Sequence, residues 1–315
     1  MAVKITCDSS VDLLKEYYEE NNVSVLPFTI TLGDKDYIDG IDIDNEMIFD
    51  YVAKNKILPK TSAINEYQYS DFFKENLCED GLIFISISSK ASCAYNNAMA
   101  AAKNFDNVYV VDSLSLSTGG GLLVTHAVEL SKKGLSAKEI FEKLEAKKKK
   151  VQASFTIDRL EYLHKGGRCS SVAVLGANLL KLHPQIQLKN GAMAVNKKYR
   201  GKMAEVVKSY IDDTLAEFAP DKSLCFLTHS NSDPEVVESA RKHLESKKIF
   251  DKIIETHAGS TVTSHCGKNT LGILISLSKY ILKTNLNKKR SRIDFFFFNL
   301  FVLTKARVYC SMHIE

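Results

Sequence analysis

Small hydroxyl side chains occur at two places where an anion could bind. Residues 83–105 read IFISISSKASCAYNNAMAAAKNF, a strand pattern that becomes a helix pattern, and Ser92 stands where the helix pattern begins. Thr61 and Ser62 form a second pair in LPKTSAIN, again just before a helix pattern. Turns of this kind direct hydroxyls and unpaired backbone N–H groups at a phosphate or a carboxylate. Each hydroxyl also has a simpler interpretation, as the N-cap of its helix.

A histidine is the third candidate for this chemistry. His265 lies among small residues in STVTSHCGKNTLGI, just before an apolar strand pattern. A lone histidine is more often structural than functional. It can still donate a hydrogen bond to a carboxylate, directly or through a water molecule.

The same residues allow a catalytic alternative. Ser92 and His265 could act as nucleophile and base of a serine hydrolase. The local sequence KASCAYN is not G-x-S-x-G, and no acid close to His265 in sequence is placed to orient it. We therefore keep the hydrolase as the alternative to a binding protein.

Composition and motifs argue against several other classes. STGGGLL lacks the spacing of a dinucleotide-binding loop, and His164 and His183 lack metal-ligand spacing. Seven cysteines without a CxxC pair argue against a disulfide framework and a zinc site, and they favour a reduced, cytoplasmic protein. We expect no metal and no cofactor. The net charge of +4 comes from residues 286–315, because residues 1–285 contain 36 positively charged and 36 negatively charged residues. We therefore expect no nucleic-acid partner.

The elements that must position these side chains divide near residue 150. In residues 1–150, strand and helix patterns alternate, and GLIFISI and NVYVVDS are strands of the kind buried in a mostly parallel sheet. Ser10 is the expected N-cap of a helix in SSVDLLKEYYEENN. Since ligands bind beyond the carboxyl ends of parallel strands, the two hydroxyl loops are expected to share one anion site.

Residues 151–280 predict a second, α+β domain with a mixed or antiparallel sheet. Its strongest local signal is KNGA, which predicts a tight β-hairpin turn. From residue 281 to 315 the periodicity fails, and we expect an appended extension outside the fold. A basic, aromatic segment that lies on a membrane surface is the alternative for this tail.

Taken in order, these segments resemble the DegV family of bacterial fatty-acid-binding proteins. The similar segments run from residue 3 to about 278 and include DSSVDL, LPFTI, KTSAIN, ISISSKASCAYNNA, VYVVDSLSLSTGGGLLV, LEYLHKGGRCS, RGKMAEV, THSNSDPE and SHCGKNTLGI. The resemblance implies two α/β domains with an apolar tunnel between them. An acyl chain would lie in the tunnel, with its carboxylate held by Thr61, Ser62, Ser92 and His265.

The resemblance also implies a partner. A separate ATP-using kinase would phosphorylate the bound carboxylate, so the chain itself would be a non-catalytic subunit. By position, Arg200 matches a surface arginine that docks the kinase, and Arg168 matches an interface or docking residue. Transient contact with a membrane would accompany ligand exchange.

The chain departs from the family pattern at its motifs. Gln-Pro-Ser after the first hydroxyl pair, Gly-Thr after the serine and Gly-Pro-Gly in the last motif are replaced here by Ala63-Ile64-Asn65, Cys93-Ala94 and Gly267-Lys268-Asn269. Ala94 removes a possible donor, whereas Lys268 is expected to add a cation beside the head group. We expect these changes to alter the preferred acyl chain or its affinity.

Elementary energetics support a fatty acid. Burying about 14 methylenes at roughly 0.8 kcal/mol each favours entry of a chain of about 16 carbons by on the order of 11 kcal/mol. Desolvation of the carboxylate costs several kcal/mol unless it is hydrogen-bonded. Charge-assisted hydrogen bonds from Ser62, Ser92 and His265 would offset that cost.

Overall fold

The computed structural model describes residues 2–169 and 182–278. The predictions for the tail at 281–315 fall outside these residues. Within the described residues, no helix is both long and apolar enough to cross a membrane.

The part of the chain before residue 150 contains seven strands and six helices. In chain order they are β1 (Lys4–Asp8), α1 (Lys15–Glu20), β2 (Ser24–Leu26), β3 (Thr29–Leu32), β4 (Lys35–Ile38), α2 (Asn45–Asn55), β5 (Lys60–Ser62), α3 (Glu66–Asn76), β6 (Leu82–Ser86), α4 (Ala94–Ala102), β7 (Val108–Asp112), α5 (Thr118–Lys132) and α6 (Ala137–Lys147).

The part after residue 150 contributes six strands and four helices to the described residues. They are β8 (Val151–Thr156), α7 (Glu161–Lys165), β9 (Leu182–Lys189), β10 (Ala192–Arg200), α8 (Met203–Glu217), β11 (Pro220–Ser230), α9 (Pro234–Ser246), β12 (Ile253–His257), α10 (Ser260–Cys266) and β13 (Thr270–Leu277).

A four-stranded parallel sheet of order β2-β1-β6-β7 forms the centre of the first half, as predicted. Every residue of β6 is buried. Its side chains alternate between two apolar layers, since Ile83 and Ile85 pack towards α5 and α6 while Phe84 packs towards α3 and α4. This burial on both faces explains the unbroken apolar run from Leu82 to Ile85.

A second, antiparallel sheet of order β4-β3-β5 was not predicted. The β-branched segment VSVLPFTITLG has the composition of one strand, but it breaks at Pro27 into β2 and β3, because proline has no N–H to continue the ladder. Thr61 pairs with Ile30 in this sheet. The cap interpretation of Thr61 and Ser62 is therefore wrong, and Asn65 caps α3 in a reciprocal capping box with Gln68.

Ser10 is not a helix cap either. The helix starts at Lys15 and has no side-chain cap, whereas the Ser10 hydroxyl donates to the carboxylate of Asp8. Both residues are buried. The hydroxyl is used to satisfy a buried acid at the end of β1, which the local pattern did not reveal.

The second half contains a six-stranded mixed sheet of order β10-β9-β8-β13-β11-β12. Only β11 and β12 pair in parallel within it, so the expectation of a mixed or antiparallel sheet is confirmed. The predicted hairpin joins β9 to β10 through Asn190 and Gly191, whose φ angles of 50° and 83° are left-handed. The proposed boundary at residue 150 falls between the sheets, and the division into two domains stays a prediction.

Candidate functional site

Buried carboxylates fix the loop that follows β6. Asp8 accepts a hydrogen bond from the backbone N–H of Ile87 at 2.7 Å, and Asp112 accepts one from Ser89 at 3.1 Å. Burial raises the pKa of Asp8 to about 6, although its hydrogen bonds act in the opposite direction. The loop between β6 and α4 is thus tied to the ends of β1 and β7.

The serines of this loop have separate tasks. Ser88 donates to the backbone carbonyl of Gly191 at 2.8 Å and so attaches the hairpin of the second half to the first. Ser92 accepts a hydrogen bond from the N–H of Ala94 at 3.2 Å. That bond uses a lone pair of Ser92 and leaves its O–H as a donor. Supporting the start of α4 and binding a ligand are therefore compatible roles for Ser92.

Thr61 and His265 are brought together from positions that lie far apart in sequence. Thr61 Oγ1 and His265 Nε2 are 2.8 Å apart, and His265 Nδ1 is buried without a hydrogen-bond partner among the described residues. If Nε2 carries the proton, the Thr61 O–H is left as a donor; if Nδ1 carries it, that N–H is left instead. Either tautomer supplies one donor for an anion.

His265 is neutral at physiological pH. Burial, helped by the nearby positive charge of Arg168, lowers the pKa of His265 to about 4. The side chains of Thr61, Ser92 and His265 are therefore all uncharged hydrogen-bonding groups.

The helix that carries His265 is held by the first half of the chain. At the start of α10, the N–H of Gly259 donates to Asp12 at 2.8 Å, and that of Ser260 donates to Asp39 at 3.1 Å. Asn45 donates to the carbonyl of Ala258 at 2.8 Å. These contacts set the position of His265 relative to Thr61.

Asp12 makes the stability of this junction depend on pH. Burial raises the pKa of Asp12 to about 8, whereas an aspartate in an unfolded chain has a pKa of about 3.9. The folded state therefore binds the proton more tightly. The stability that this carboxyl contributes is complete below about pH 4 and is lost as the pH rises through about 8.

Asp12→Asn is expected to flatten the pH dependence of stability. The amide can accept from Gly259 with its oxygen and donate to the Ser117 hydroxyl that now donates to Asp12. Above pH 8, we expect the free energy of unfolding of the variant to exceed that of the wild type by more than about 1.4 kcal/mol, which is equivalent to one pKa unit. Urea titrations from pH 5 to 9 measure this, with exposed Asp106→Asn as the control. Equal slopes for Asp12→Asn and wild type would contradict the assignment.

One cavity contains most of the predicted site residues. The His265 cavity, as we call it, has a volume of about 600 Å³ and is lined by Phe28, Thr61, Ala63, Ile87, Ser89, Lys90, Ala91, Ser92, Cys93, Leu116, Gly166, Gly167, Arg168, Met193, Thr261, Val262, His265 and Cys266. Its volume lies within the range of roughly 300–1,000 Å³ that is usual for small-ligand sites. Polar side chains lie beside apolar ones in its wall, as an amphiphile requires.

Three other candidates lie outside this cavity. Ser62 is exposed, because alternation along β5 turns it away from its neighbours Thr61 and Ala63, which line the cavity. Arg200 is exposed at the end of β10, and Lys268 is exposed after α10. Two cations line the cavity instead. Arg168 was among the candidates, whereas Lys90, two residues before Ser92, was missed by the sequence reasoning.

An apolar extension adjoins the His265 cavity. The Phe155 cavity, lined among others by Phe155, Leu274 and Gly272, shares Leu116, Val262 and Cys266 with it. Its volume is about 30 Å³, close to the share of one water molecule in the liquid. A chain that extends into it must displace side chains.

Another cavity, of about 500 Å³, lies elsewhere and includes Leu14, His126 and Phe226 in its wall. It contains none of the predicted site residues.

The geometry does not support the serine hydrolase. His265 Nε2 bonds Thr61 rather than Ser92, and no carboxylate among the described residues orients His265 Nδ1. With its pKa lowered to about 4, His265 is also a poor general base.

One trio among the described residues has metal-ligand spacing. Ligand atoms of His229, Glu255 and His257 lie within 4.8 Å of one another. The groups are already engaged, because Arg241 pairs with Glu255 and the N–H of Ser232 donates to His229 Nδ1. His229 Nε2 must then carry the proton that faces Glu255, so we assign no metal here.

The chain is similar to known bacterial proteins along most of its length. Residues 2–278 match a family model described as an uncharacterised protein of the DegV family. The DegV domain-containing protein SACOL1460 of Staphylococcus aureus (strain COL) is 32% identical, over 86% of this chain and 97% of that protein.

Solved structures share the fold. A DegV family protein from Thermus thermophilus, described for its fatty-acid binding, has a TM-score of 0.82 and 26% identity, covering 88% of this chain and 100% of its own. TM841 from Thermotoga maritima, described as having a fatty-acid-binding function, has a TM-score of 0.73 and 26% identity, covering 88% of this chain and 99% of its own.

Proposed function

Because this chain belongs to the DegV family, we propose that it binds a long-chain fatty acid and presents the carboxylate to a separate ATP-dependent kinase. The carboxylate occupies the His265 cavity, and the chain itself performs no catalysis. A cytoplasmic location and transient contact with a membrane, where such ligands reside, are part of this proposal.

The observation that carries the proposal is the meeting of Thr61, Ser92 and His265 in one cavity. The three side chains come from β5, the loop after β6 and α10. Ser92 can offer one hydrogen to a carboxylate oxygen, and the hydrogen-bonded pair of Thr61 and His265 can offer another. Hydrogen bonds to an ionised acceptor are about twice as strong as those between neutral groups. Two of them offset the cost of removing the carboxylate from water.

The remaining wall suits the acyl chain. Phe28, Ile87, Leu116, Met193 and Val262 supply apolar surface next to the polar groups. The chain is directed towards the Phe155 cavity, because Leu116 and Val262 belong to both walls. Transfer of its methylenes from water provides most of the affinity.

The chemistry assigned to the partner requires only an accessible carboxylate. One carboxylate oxygen forms a bond to the terminal phosphorus of ATP, while the bond from that phosphorus to the bridging oxygen breaks. ADP leaves with the electron pair, and the product is an acyl phosphate. Uncharged donors hold the carboxylate here without acting as nucleophiles.

Mass spectrometry of protein purified from bacteria tests the proposal. We expect a fatty acid to co-purify and to be replaceable by added palmitate or oleate. A protein that is purified without ligand and then binds neither palmitate nor oleate would refute the proposal.

Arg200→Ala is expected to separate binding from phosphorylation. Arg200 lies roughly 20 Å along β10 from Met193 in the cavity wall, too far to contact the head group. We expect unchanged fatty-acid affinity and about tenfold slower acyl phosphate formation with the kinase present, as for loss of an interface arginine. Exposed Lys138→Ala on α6 is the control, and unchanged turnover for Arg200→Ala would remove the docking role.

A further inference from the structure

An exposed thiol lies in the wall of the His265 cavity. Cys93 follows Ser92 in the chain and is the residue directly before α4. Of the six described cysteines, four are buried, Cys78 is half-buried, and Cys93 is exposed. Cys93 also stands where the family pattern has a glycine, so the thiol distinguishes this chain from that pattern.

The Cys93 thiol is accessible and is not engaged by the fold. Cys78 Sγ donates to the carbonyl of Gly81 at 3.2 Å, whereas no hydrogen bond engages the Cys93 thiol in the part of the chain that the structure describes. Cys266 lies in the same cavity wall, but burial raises the pKa of its thiol to about 12, so it stays protonated at neutral pH. Cys93 is therefore the cysteine of this wall that can react.

A separate observation indicates that a polar ligand group belongs beside this thiol. His265 Nδ1 is buried and has no hydrogen-bond partner among the described residues, and such an atom is usually satisfied by a ligand or by water. His265 and Ser92 line the same cavity as Cys93. A head group that accepts from the Ser92 hydroxyl therefore lies one residue away from the Cys93 thiol.

We propose that Cys93 is a covalent acyl acceptor, which takes the acyl group from an acyl phosphate bound in the His265 cavity. The inference rests on the proposed function, since the acyl phosphate is the product of the partner kinase. The sulfur of the Cys93 thiolate forms a bond to the carbonyl carbon, and the bond from that carbon to the bridging oxygen breaks. Inorganic phosphate leaves with the electron pair, and the thiol proton passes to solvent. The product is a thioester on this chain.

The groups that bind the carboxylate also suit this step. As the sulfur attacks, negative charge develops on the carbonyl oxygen, to which the Ser92 hydroxyl and the pair of Thr61 and His265 can donate. The nearby start of α4 favours the same negative charge. Cysteine is intrinsically nucleophilic, so the step does not depend on His265 as a base.

The test exposes the full chain to palmitoyl phosphate at pH 7 and measures the intact mass. Cys93→Ala removes the proposed acceptor, and Cys78→Ala, outside the cavity wall, is the matched control. Neutral hydroxylamine cleaves a thioester and leaves an amide intact, and peptide mapping identifies the modified residue. Excess palmitate competes for the cavity, whereas acetyl phosphate has the same reactive group without the long chain. Displacement of a fluorescent fatty acid measures palmitate binding by each protein.

We expect the wild type and Cys78→Ala to gain the mass of one palmitoyl group, which hydroxylamine removes. Cys93→Ala is expected to gain none, excess palmitate to suppress the reaction, and acetyl phosphate to leave Cys93 unmodified. An unmodified wild type that still binds palmitate, or a thioester that persists in Cys93→Ala, would overturn the acceptor role while leaving fatty-acid binding in place. Equal modification of Cys93 by acetyl phosphate would show that exposure alone causes the reaction, which also overturns it. A wild type that does not bind palmitate would instead refute the proposed function and the acceptor role together.

Discussion

Ser92→Ala is expected to weaken fatty-acid binding about tenfold or more while the fold is kept. The substitution removes the O–H donor that Ser92 retains after accepting from Ala94. A hydrogen bond to a charged group contributes roughly 1.5–3 kcal/mol, which corresponds to tenfold or more in affinity. Loss of the bond to Ala94 at the start of α4 costs about 1 kcal/mol or less in stability. Fluorescent-ligand displacement and thermal unfolding measure the two effects separately.

Ser62→Ala provides a matched control for this result. Ser62 is a predicted site residue of the same type, yet it is exposed and outside the cavity wall. We expect its removal to leave affinity unchanged. If Ser92→Ala lowers the melting temperature while its folded fraction binds normally, Ser92 only supports α4.

Gly166→Ala is expected to abolish most of the binding through a purely steric effect. A Cβ at Gly166 would lie 2.7 Å from the backbone carbonyl oxygen of Tyr162 and 2.8 Å from His265 Nδ1. The φ of Gly166 is −69°, an ordinary value for alanine, so conformational strain does not arise. The clash with Tyr162 requires a shift of α7, and the clash with Nδ1 requires the imidazole of His265 to move, which weakens its contact with Thr61. Overpacking of this kind costs about 1–3 kcal/mol.

The variant Gly167→Ala distinguishes the effect of a steric clash from the effect of backbone strain. Gly167 has a φ of 68°, which disfavours alanine, but an added Cβ would meet nothing within 4 Å. We expect Gly167→Ala to lower stability by about 1 kcal/mol and to keep ligand affinity within a few-fold of wild type. Similar binding losses for the two glycine variants would show that contact with His265 is not the cause.

The main sheets were predictable from local patterns, whereas the small antiparallel sheet was not. Strand β6 is apolar from Leu82 to Ile85 because both of its faces are buried, and the Asn-Gly sequence at residues 190 and 191 is itself typical of a tight hairpin turn. Strand β5 has only three residues and is defined by its pairing with β3, which lies about thirty residues earlier in the sequence. A three-residue strand carries too little periodicity to be distinguished from a loop.

The residues of the candidate site were likewise predictable only where a local sequence pattern indicates them. Ser92 and Thr61 were found because hydroxyls near helix starts are a local signal, and His265 because it stands in a distinctive motif. Ser62 was included together with Thr61 because β5 was not predicted. Without that strand, the sequence gives no sign that the side chains of Thr61 and Ser62 point in opposite directions. The bond from Gly259 to Asp12 joins positions 247 residues apart, so no local pattern reveals it. Lys90 was overlooked because a lysine in a loop is usually a solvated surface residue.

The helix α10 joins the two halves at its first turn and carries His265 in its last. An occupant of the cavity would therefore reinforce the same element that holds the halves together. A ligand present at a hundredfold excess over its Kd stabilises the folded state by about 2.7 kcal/mol. Since proteases remove unfolded chains, the amount of this protein in a cell would follow the supply of its ligand as well as the rate of its synthesis.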